Sequence, residues 1–327
     1  MSILLSCLRL LPPELAHSVA LNALKLLYQL NLSQLLFPHK NFQQEVTLKN
    51  LTFKNRLGIA AGLDKNGDFI DALGSLGFGF IEVGTITPLP QTGNPKPRVF
   101  RFPSQNAIIN RLGFNNKGVD YLVEKIKKRK FQGILGVNIG SNKDSEGQKR
   151  IQDYVDCFKK VAPHADYISV NISSPNTPNL RALHSQENFF PLFRALSETA
   201  ETLAYQGPIF IKLSPDEKDE TIQSLVMAIK QFHFDGVIVS NTTINRENIS
   251  LKKNGDVKGG LSGRPLFNQS NKMLDIIKNE EELIKIGVGG VFTKNDFAEK
   301  QRLGASLVQI YTSFIYEGPQ IIKKLLH

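Results

Sequence analysis

Five asparagines, two lysines, one serine and a series of glycines recur at one kind of place in this chain, at or just beyond the ends of short apolar runs. The runs end at Ala61-Gly62-Leu63-Asp64-Lys65, Gly84-Thr85, Asn138-Ile139-Gly140, Asn171-Ile172-Ser173-Ser174, Lys212-Leu213-Ser214, Ser240-Asn241-Thr242, Gly287-Val288-Gly289-Gly290 and Tyr311-Thr312. An amide side chain both donates and accepts hydrogen bonds. A ring of amides from Asn110, Asn138, Asn171, Asn176 and Asn241 therefore suits a flat heterocycle whose edge alternates N–H and C=O, although each asparagine alone also reads as a turn residue. Lys65 and Lys212 could form a Schiff base, hold an anion or stabilise negative charge on a cofactor. Gly287-Val288-Gly289-Gly290 and Tyr311-Thr312, with Gly259-Gly260-Leu261-Ser262-Gly263 adding donors, read as a backbone site for a phosphate. Ser174 sits on a Pro-braced turn. A serine is a poor base at its ordinary pKa and needs a desolvated site or a proton relay. No Ser–His–Asp arrangement is visible, so on chemistry alone Ser174 reads equally as a turn hydroxyl or a catalyst.

Eight elements must carry these residues. Apolar runs of strand length separated by helix-like stretches point to parallel strands covered by helices. Eight such units predict a closed (β/α)8 barrel of α/β class, whose reactive groups lie at the carboxyl ends of the strands. The strands are expected at Leu57–Ala61, Phe80–Gly84, Ile134–Asn138, Tyr167–Asn171, Ile209–Lys212, Gly236–Ser240, Ile284–Val288 and Ser306–Tyr311. Helices are expected at Asp216–Phe232 and Asp296–Leu303. Val46-Thr47-Leu48 and Leu51-Thr52-Phe53, joined at Lys49-Asn50, read as a hairpin closing the barrel floor. The Pro- and Gly-rich stretch from Thr87 to Gly118 is a long excursion at the catalytic end. Within it, Arg98–Phe102 and Ala107–Ile109 are expected to pair.

The chain has 327 residues, 41% of them hydrophobic, which suits one large core plus a small extension. Two cysteines, Cys7 and Cys157, give neither a disulfide framework nor a metal pattern, so a reducing compartment is expected. Forty basic against thirty acidic residues leave a charge of +10. Its densest run, Lys125–Lys130, reads as the end of a helix favoured by the helix dipole. No basic stripe interleaved with aromatics points to nucleic acid. Residues 1–40 form a separate apolar segment before the barrel at 41–327. Pro12-Pro13-Glu14 marks a helix start, followed by Leu15, Val19, Leu26 and Leu30 on one broad face. Arg9, Glu14, His17, Asn22 and Lys25 interrupt it too often for a membrane span. A helix lying on a membrane surface and a helical cap on the barrel fit the pattern equally.

Taken together, Ala60–Lys65, Asn110-Arg111-Leu112-Gly113-Phe114-Asn115-Asn116, Asn171-Ile172-Ser173-Ser174-Pro175-Asn176-Thr177, Ser240-Asn241-Thr242-Thr243, Gly260–Leu266 and Gly287–Gly290 closely resemble the dihydroorotate dehydrogenase family, in family order from about residue 45 to the C-terminus. Ser174, where the soluble class carries cysteine, and the apolar N-terminal segment resemble the membrane-associated, quinone-dependent class. The resemblance implies oxidation of (S)-dihydroorotate to orotate with FMN, electrons passing to a membrane quinone, in de novo synthesis of UMP. It implies flavin contacts at Ala61, Gly62, Leu63, Asp64, Lys65, Thr85, Asn138, Asn171, Lys212, Ser240, Gly263, Gly290, Tyr311 and Thr312. Substrate contacts are implied at Lys65, Asn110, Arg111, Leu112, Gly113, Phe114, Asn171, Asn176, Asn241 and Thr242. Ser174 would take the C5 proton while hydride leaves C6, and Lys212 would face the flavin's pyrimidine edge. His17 and Arg101 match positions near the quinone tunnel. A peripheral protein on the cytoplasmic face of the cell inner membrane is expected. Asn179 and Thr312-Ser313 depart from the usual family pattern, near the lid loop and the phosphate site. The alternatives are a soluble-type enzyme using fumarate or NAD, a phosphosugar isomerase or Schiff-base aldolase, and a non-catalytic binding barrel.

Overall fold

The computed structural model describes residues 8, 10–33, 44–177, 180–250 and 257–327. Cys7, Asn179 and the apolar positions Leu4, Leu5, Leu35, Leu36 and Phe37 lie outside them. Helix α1 (Pro13–Gln29) comes first, then the hairpin β1 (Val46–Leu48) and β2 (Leu51–Phe53). Eight parallel strands follow: β3 (Leu57–Ile59), β4 (Phe80–Ile86), β7 (Ile134–Ile139), β8 (Tyr167–Asn171), β9 (Ile209–Lys212), β10 (Gly236–Val239), β12 (Ile284–Val288) and β13 (Leu307–Ile310). They close on themselves in sequence order, with β13 pairing back to β3. A helix follows each strand in turn: α2 (Ile70–Gly74), α3 (Val119–Lys127), α4 (Gly147–Val161), α5 (Gln186–Thr202), α6 (Asp219–Gln231), α7 (Phe267–Ile276) and α8 (Lys294–Arg302), with α9 (Thr312–Glu317) and α10 (Gln320–Leu326) last. The expected (β/α)8 barrel is therefore the fold. The basic run at Lys125 does end a helix, α3.

The floor is aromatic. Phe53 of the hairpin meets Phe80 edge-on at 5.4 Å, Phe80 meets Tyr167 at 6.3 Å, and Tyr167 meets Phe210 at 5.3 Å. Glycine makes the room: a Cβ on Gly136 would stand 2.0 Å from the Tyr167 ring. Each fully buried aromatic contributes on the order of 2–3 kcal/mol. The hairpin thus seals the end opposite the chemistry, as its sequence suggests.

The excursion after β4 forms β5 (Val99–Phe102) and β6 (Ala107–Asn110), an antiparallel pair as expected. A third strand joins them. β11 (Gly260–Gly263) pairs with β6, Gly260 opposite Asn110 and Gly263 opposite Ala107. The glycine-rich segment read as a loop of phosphate donors is a strand, and part of its backbone hydrogen bonding is committed to β6. This small sheet stands over one side of the barrel mouth.

Helix α1 packs Ala16, Leu21 and Leu24 inward. Arg98 beside β5 donates from Nε and Nη2 to Glu14 Oε1 at 3.0 and 2.9 Å. Arg101 donates to the Leu8 and Leu11 carbonyls. The opposite face remains exposed, with Leu15 at 49% and Leu26 at 55%. Leu15, Val19, Leu26 and Leu30 lie within one third of a turn at 100° per residue, so they form a single stripe. One face of α1 caps the barrel while the other is left to something else.

Candidate active site

A single cavity opens at the carboxyl ends of the barrel strands. Among the expected residues it is lined by Ala61, Gly62 and Lys65 after β3, Thr85 of β4, and Asn171, Ser174 and Asn176 from β8 onward. Lys212 of β9 and Ser240, Asn241 and Thr242 after β10 continue the wall. Asn110, Leu112, Gly113 and Phe114 enter from the excursion, and Gly263, Gly290, Tyr311 and Thr312 complete the far side.

Six expected residues do not line it. Leu63 is buried in the main core. Asp64 turns back to accept the Asp68 and Phe69 N–H groups at 3.0 and 2.7 Å, a local brace for the loop after β3. Arg111 points out, donating to the Pro97 carbonyl and lying over the Phe100 ring. In a loop, successive side chains face different ways, so neighbours in a motif need not share a site. Asn138 lies one layer down, His17 stands on α1 itself and Arg101 on β5, and none of the three is on the cavity wall.

Four of the five asparagines line the cavity, with Asn138 beneath it, and their side chains form two bonded groups. Asn241 Nδ2 donates to Asn171 Oδ1 at 3.2 Å, and Asn171 Nδ2 donates to Thr85 Oγ1 at 3.0 Å and to Asn138 Oδ1 at 3.3 Å. Across the mouth, Asn176 Nδ2 donates to Asn110 Oδ1 at 3.2 Å. Orientation in low dielectric makes such groups effective only when satisfied, and these hold one another in place. Ser174 is 6% exposed. Its Oγ accepts the Asn176 N–H at 3.2 Å and forms no hydrogen bond to a His, Asp or Glu among the described residues. Ser174 thus lines the cavity with no His, Asp or Glu bonded to its hydroxyl among the described residues.

Two lysines bring positive charge. Lys65 Nζ donates to the Gly62 carbonyl at 2.9 Å. Burial first, and then the Arg98 guanidinium, pull its pKa down to about 8, while Glu14 and Asp64 push the other way. Lys212 is 6% exposed, and its ammonium makes no hydrogen bond among the described residues. Burial pulls its pKa below the usual lysine range, and the Glu82 carboxylate opposes that pull. A buried cation without a hydrogen-bond acceptor signals that a ligand supplies one. His17 is pulled to about 4 by burial and then by Lys65. It is neutral at pH 7 and sits within electrical reach of the cavity.

At the far side, Gly289 and Gly290 have φ of 116° and 74°. A Cβ on Gly290 would stand 2.5 Å from Phe267 Cβ, so only glycine allows this approach. Thr312 Oγ1 donates to Ser262 Oγ at 2.9 Å, which seats the Thr312-Ser313 departure quietly in the wall.

The sequence reading missed the layer beneath. Glu82, Ser169 and Gln309 are polar residues in the middle of largely apolar strands, below the rim positions Thr85 and Asn171. Glu82 in Phe80–Gly84 is the visible signal, because charges are rarely fully buried unless paired.

Comparison with known proteins agrees with this geometry. Residues 43–327 match the family described as dihydroorotate dehydrogenase. The chain is 46% identical over 327 residues to a "dihydroorotate dehydrogenase (quinone)" of Saccharophagus degradans, covering 98% of this chain and 96% of that protein. It is 47% identical over 318 residues to the protein of that name from Cellvibrio japonicus, covering 95% and 93%. A crystal structure of DHODH from Eimeria tenella in complex with ferulenol superimposes with a TM-score of 0.87 at 35% identity, covering 96% of this chain and 89% of that one. With a matched segment that takes in every barrel strand and every wall of the cavity, this chain belongs to the dihydroorotate dehydrogenase family.

Proposed function

We propose that this protein oxidises (S)-dihydroorotate to orotate in pyrimidine synthesis, with FMN as cofactor and a membrane quinone as final electron acceptor. One observation carries the reading: amide groups, the half-buried Lys65, the buried Lys212 and Ser174, from several strands and loops, converge on one cavity that also has a glycine cradle at its far side. The cavity suits FMN. Gly289 and Gly290 leave backbone open for its phosphate, Gln309 Oε1 is a buried acceptor without a partner, and Lys212 offers a cation lacking an acceptor.

When bound, FMN supplies the hydride acceptor and the relay of electrons to quinone. The chain's own residues do the rest. Asn110, Asn171, Asn176 and Asn241 present donors and acceptors to the amide edge of the dihydropyrimidine, and Lys65 offers its ammonium to the substrate carboxylate. Ser174 Oγ would take the C5 proton while its own hydroxyl proton passes to a water reaching the cavity mouth, since no His, Asp or Glu side chain bonds it among the described residues. Phe114 and Leu112 close the apolar side of the substrate. Lys212 places positive charge where negative charge accumulates on reduction.

The reading extends to α1. Its exposed leucine stripe would lie on the bilayer at the cytoplasmic face of the inner membrane, and His17 of α1 and Arg101 of β5 would flank the route of the quinone. Among the described residues no helix is long and apolar enough to cross a membrane, so contact would be peripheral, as for an amphipathic surface helix. The test is a comparison of electron acceptors. Purified protein should turn over dihydroorotate with a long-chain quinone far faster than with fumarate or NAD. Equal or faster turnover with fumarate would favour the soluble-type alternative.

A further inference from the structure

Glu82 is 0% exposed, on β4 inside the barrel, between the aromatic floor and the cavity. Both its oxygens accept. Oε1 takes Asn138 Nδ2 at 2.9 Å and Ser169 Oγ at 2.8 Å, while Oε2 takes Gln309 Nε2 at 2.6 Å and Tyr167 Oη at 2.9 Å. Four donors from four places on β7, β8 and β13 converge on one carboxyl. Amide N–H groups only donate, and one of them reaches each Glu82 oxygen. A fold does not need such a group, since apolar side chains of the same volume fill a barrel layer at less cost.

Its surroundings give it a task. Asn138, which donates to Glu82, accepts from Asn171, and Asn171 stands opposite Lys212 in the β8–β9 register. Gln309, the other amide donor, lines the cavity itself. Among the described residues the Glu82 carboxylate favours the Lys212 ammonium and so opposes the downward pull of burial. The other titratable groups nearby are phenols or lie elsewhere on the cavity wall. Tyr167, against Glu82, is raised well above the ordinary tyrosine range by burial and then by Glu82. Tyr311 is raised to about 12 by burial. Both stay neutral at working pH. Lys65 shares the cavity.

Building on the FMN reading above, we infer that Glu82 is a positioning residue that keeps Lys212 protonated beneath the flavin and so fixes the charge available to its reduced state. The inference lies in the electrostatics of the site rather than in any contact with substrate. Without Glu82, burial acts on Lys212 alone. The ammonium of the oxidised enzyme would then lose its proton at lower pH than in the parent, and the resulting amine would take up a proton when negative charge arrives on reduction.

The test is the midpoint potential of the bound flavin in Glu82→Gln and in the parent holoenzyme, from about pH 6 to about pH 9. The difference between the two cancels the contribution of Lys65. It should become more negative as pH rises, approaching one extra proton per two electrons, or about 30 mV per pH unit. With Lys212→Met already in place, the same substitution should give a difference independent of pH. Glu82→Asp, which keeps the charge, should restore the parent's pH dependence. If Glu82→Gln loses its flavin, Glu82→Met with Gln309→Leu removes the charge without stranding that amide and serves in its place. A pH-independent difference in a flavin-loaded variant that retains Lys212 overturns the inference alone. A parent protein that takes up no FMN overturns the cofactor reading on which it rests.

Discussion

The barrel mouth and helix α1 solve opposite problems. At the mouth the amides are held by one another, as Asn241, Asn171, Thr85 and Asn138 hold one another in a chain. Helix α1 is tied by a few polar contacts along one edge, chiefly Arg98 to Glu14 and Arg101 to backbone, and turns a stripe of leucines outward. Proton abstraction next to hydride loss needs atoms fixed within fractions of an ångström. A greasy electron acceptor needs only an apolar approach and a short path. The two regions therefore divide the reaction into a rigid half and an adaptable half. They touch through Glu14, whose charge reaches Lys65.

The division can be broken from either side. Ser174→Ala should slow flavin reduction by dihydroorotate by about 10²–10⁴-fold while FMN stays bound, as read by anaerobic stopped flow. Reoxidation of the pre-reduced enzyme by quinone should be unchanged. Leu15→Glu with Leu26→Glu should do the reverse. Removing two leucines from a membrane contact costs on the order of 3–6 kcal/mol if both are fully buried there, so co-sedimentation with vesicles should fall by about tenfold or more while reduction by dihydroorotate persists. Loss of both half-reactions in either variant would erase the division.

A smaller effect sharpens it. Lys65, with its pKa near 8, is an ammonium below that pH and an amine above it. Orotate affinity should be flat below about pH 8 and weaken by up to about tenfold per pH unit above it. Lys65→Met should abolish that break. The smallest effect joins the regions. Glu14 raises the Lys65 pKa, so Glu14→Gln should move the break to lower pH and loosen α1 by about 1 kcal/mol, visible as faster amide exchange in α1 alone.

Much of this architecture is legible in the chain. Parallel strands are buried on both faces, so they appear as unbroken apolar runs, and the polar residues that end them mark the rim. Leu57–Ala61 and Ser306–Tyr311 lose a residue or two at their ends, while Tyr167–Asn171, Ile209–Lys212 and Ile284–Val288 are unchanged. The hairpin ending in Phe53 is equally clear because its turn is local. β11 was hidden because Gly260-Leu261-Ser262-Gly263 carries almost no side-chain pattern. Its pairing with Ala107–Asn110 is a tertiary event across about 150 residues. The amide ring was readable from residue type and position, whereas the flavin and quinone assignments came from family resemblance. Leu63, Asp64 and Arg111 belong to the right motifs, but the backbone turns them elsewhere. Glu82 is visible as an oddity in its strand, but its partners on β7, β8 and β13 are beyond any local pattern.

The most direct measurement is a visible spectrum of purified, FMN-loaded protein under anaerobic conditions before and after dihydroorotate is added. The yellow flavin band should bleach fully and then return on adding a long-chain quinone, with one orotate formed per flavin. A band that persists in the presence of excess dihydroorotate, or a protein that takes up no FMN, would contradict the assignment of this cavity.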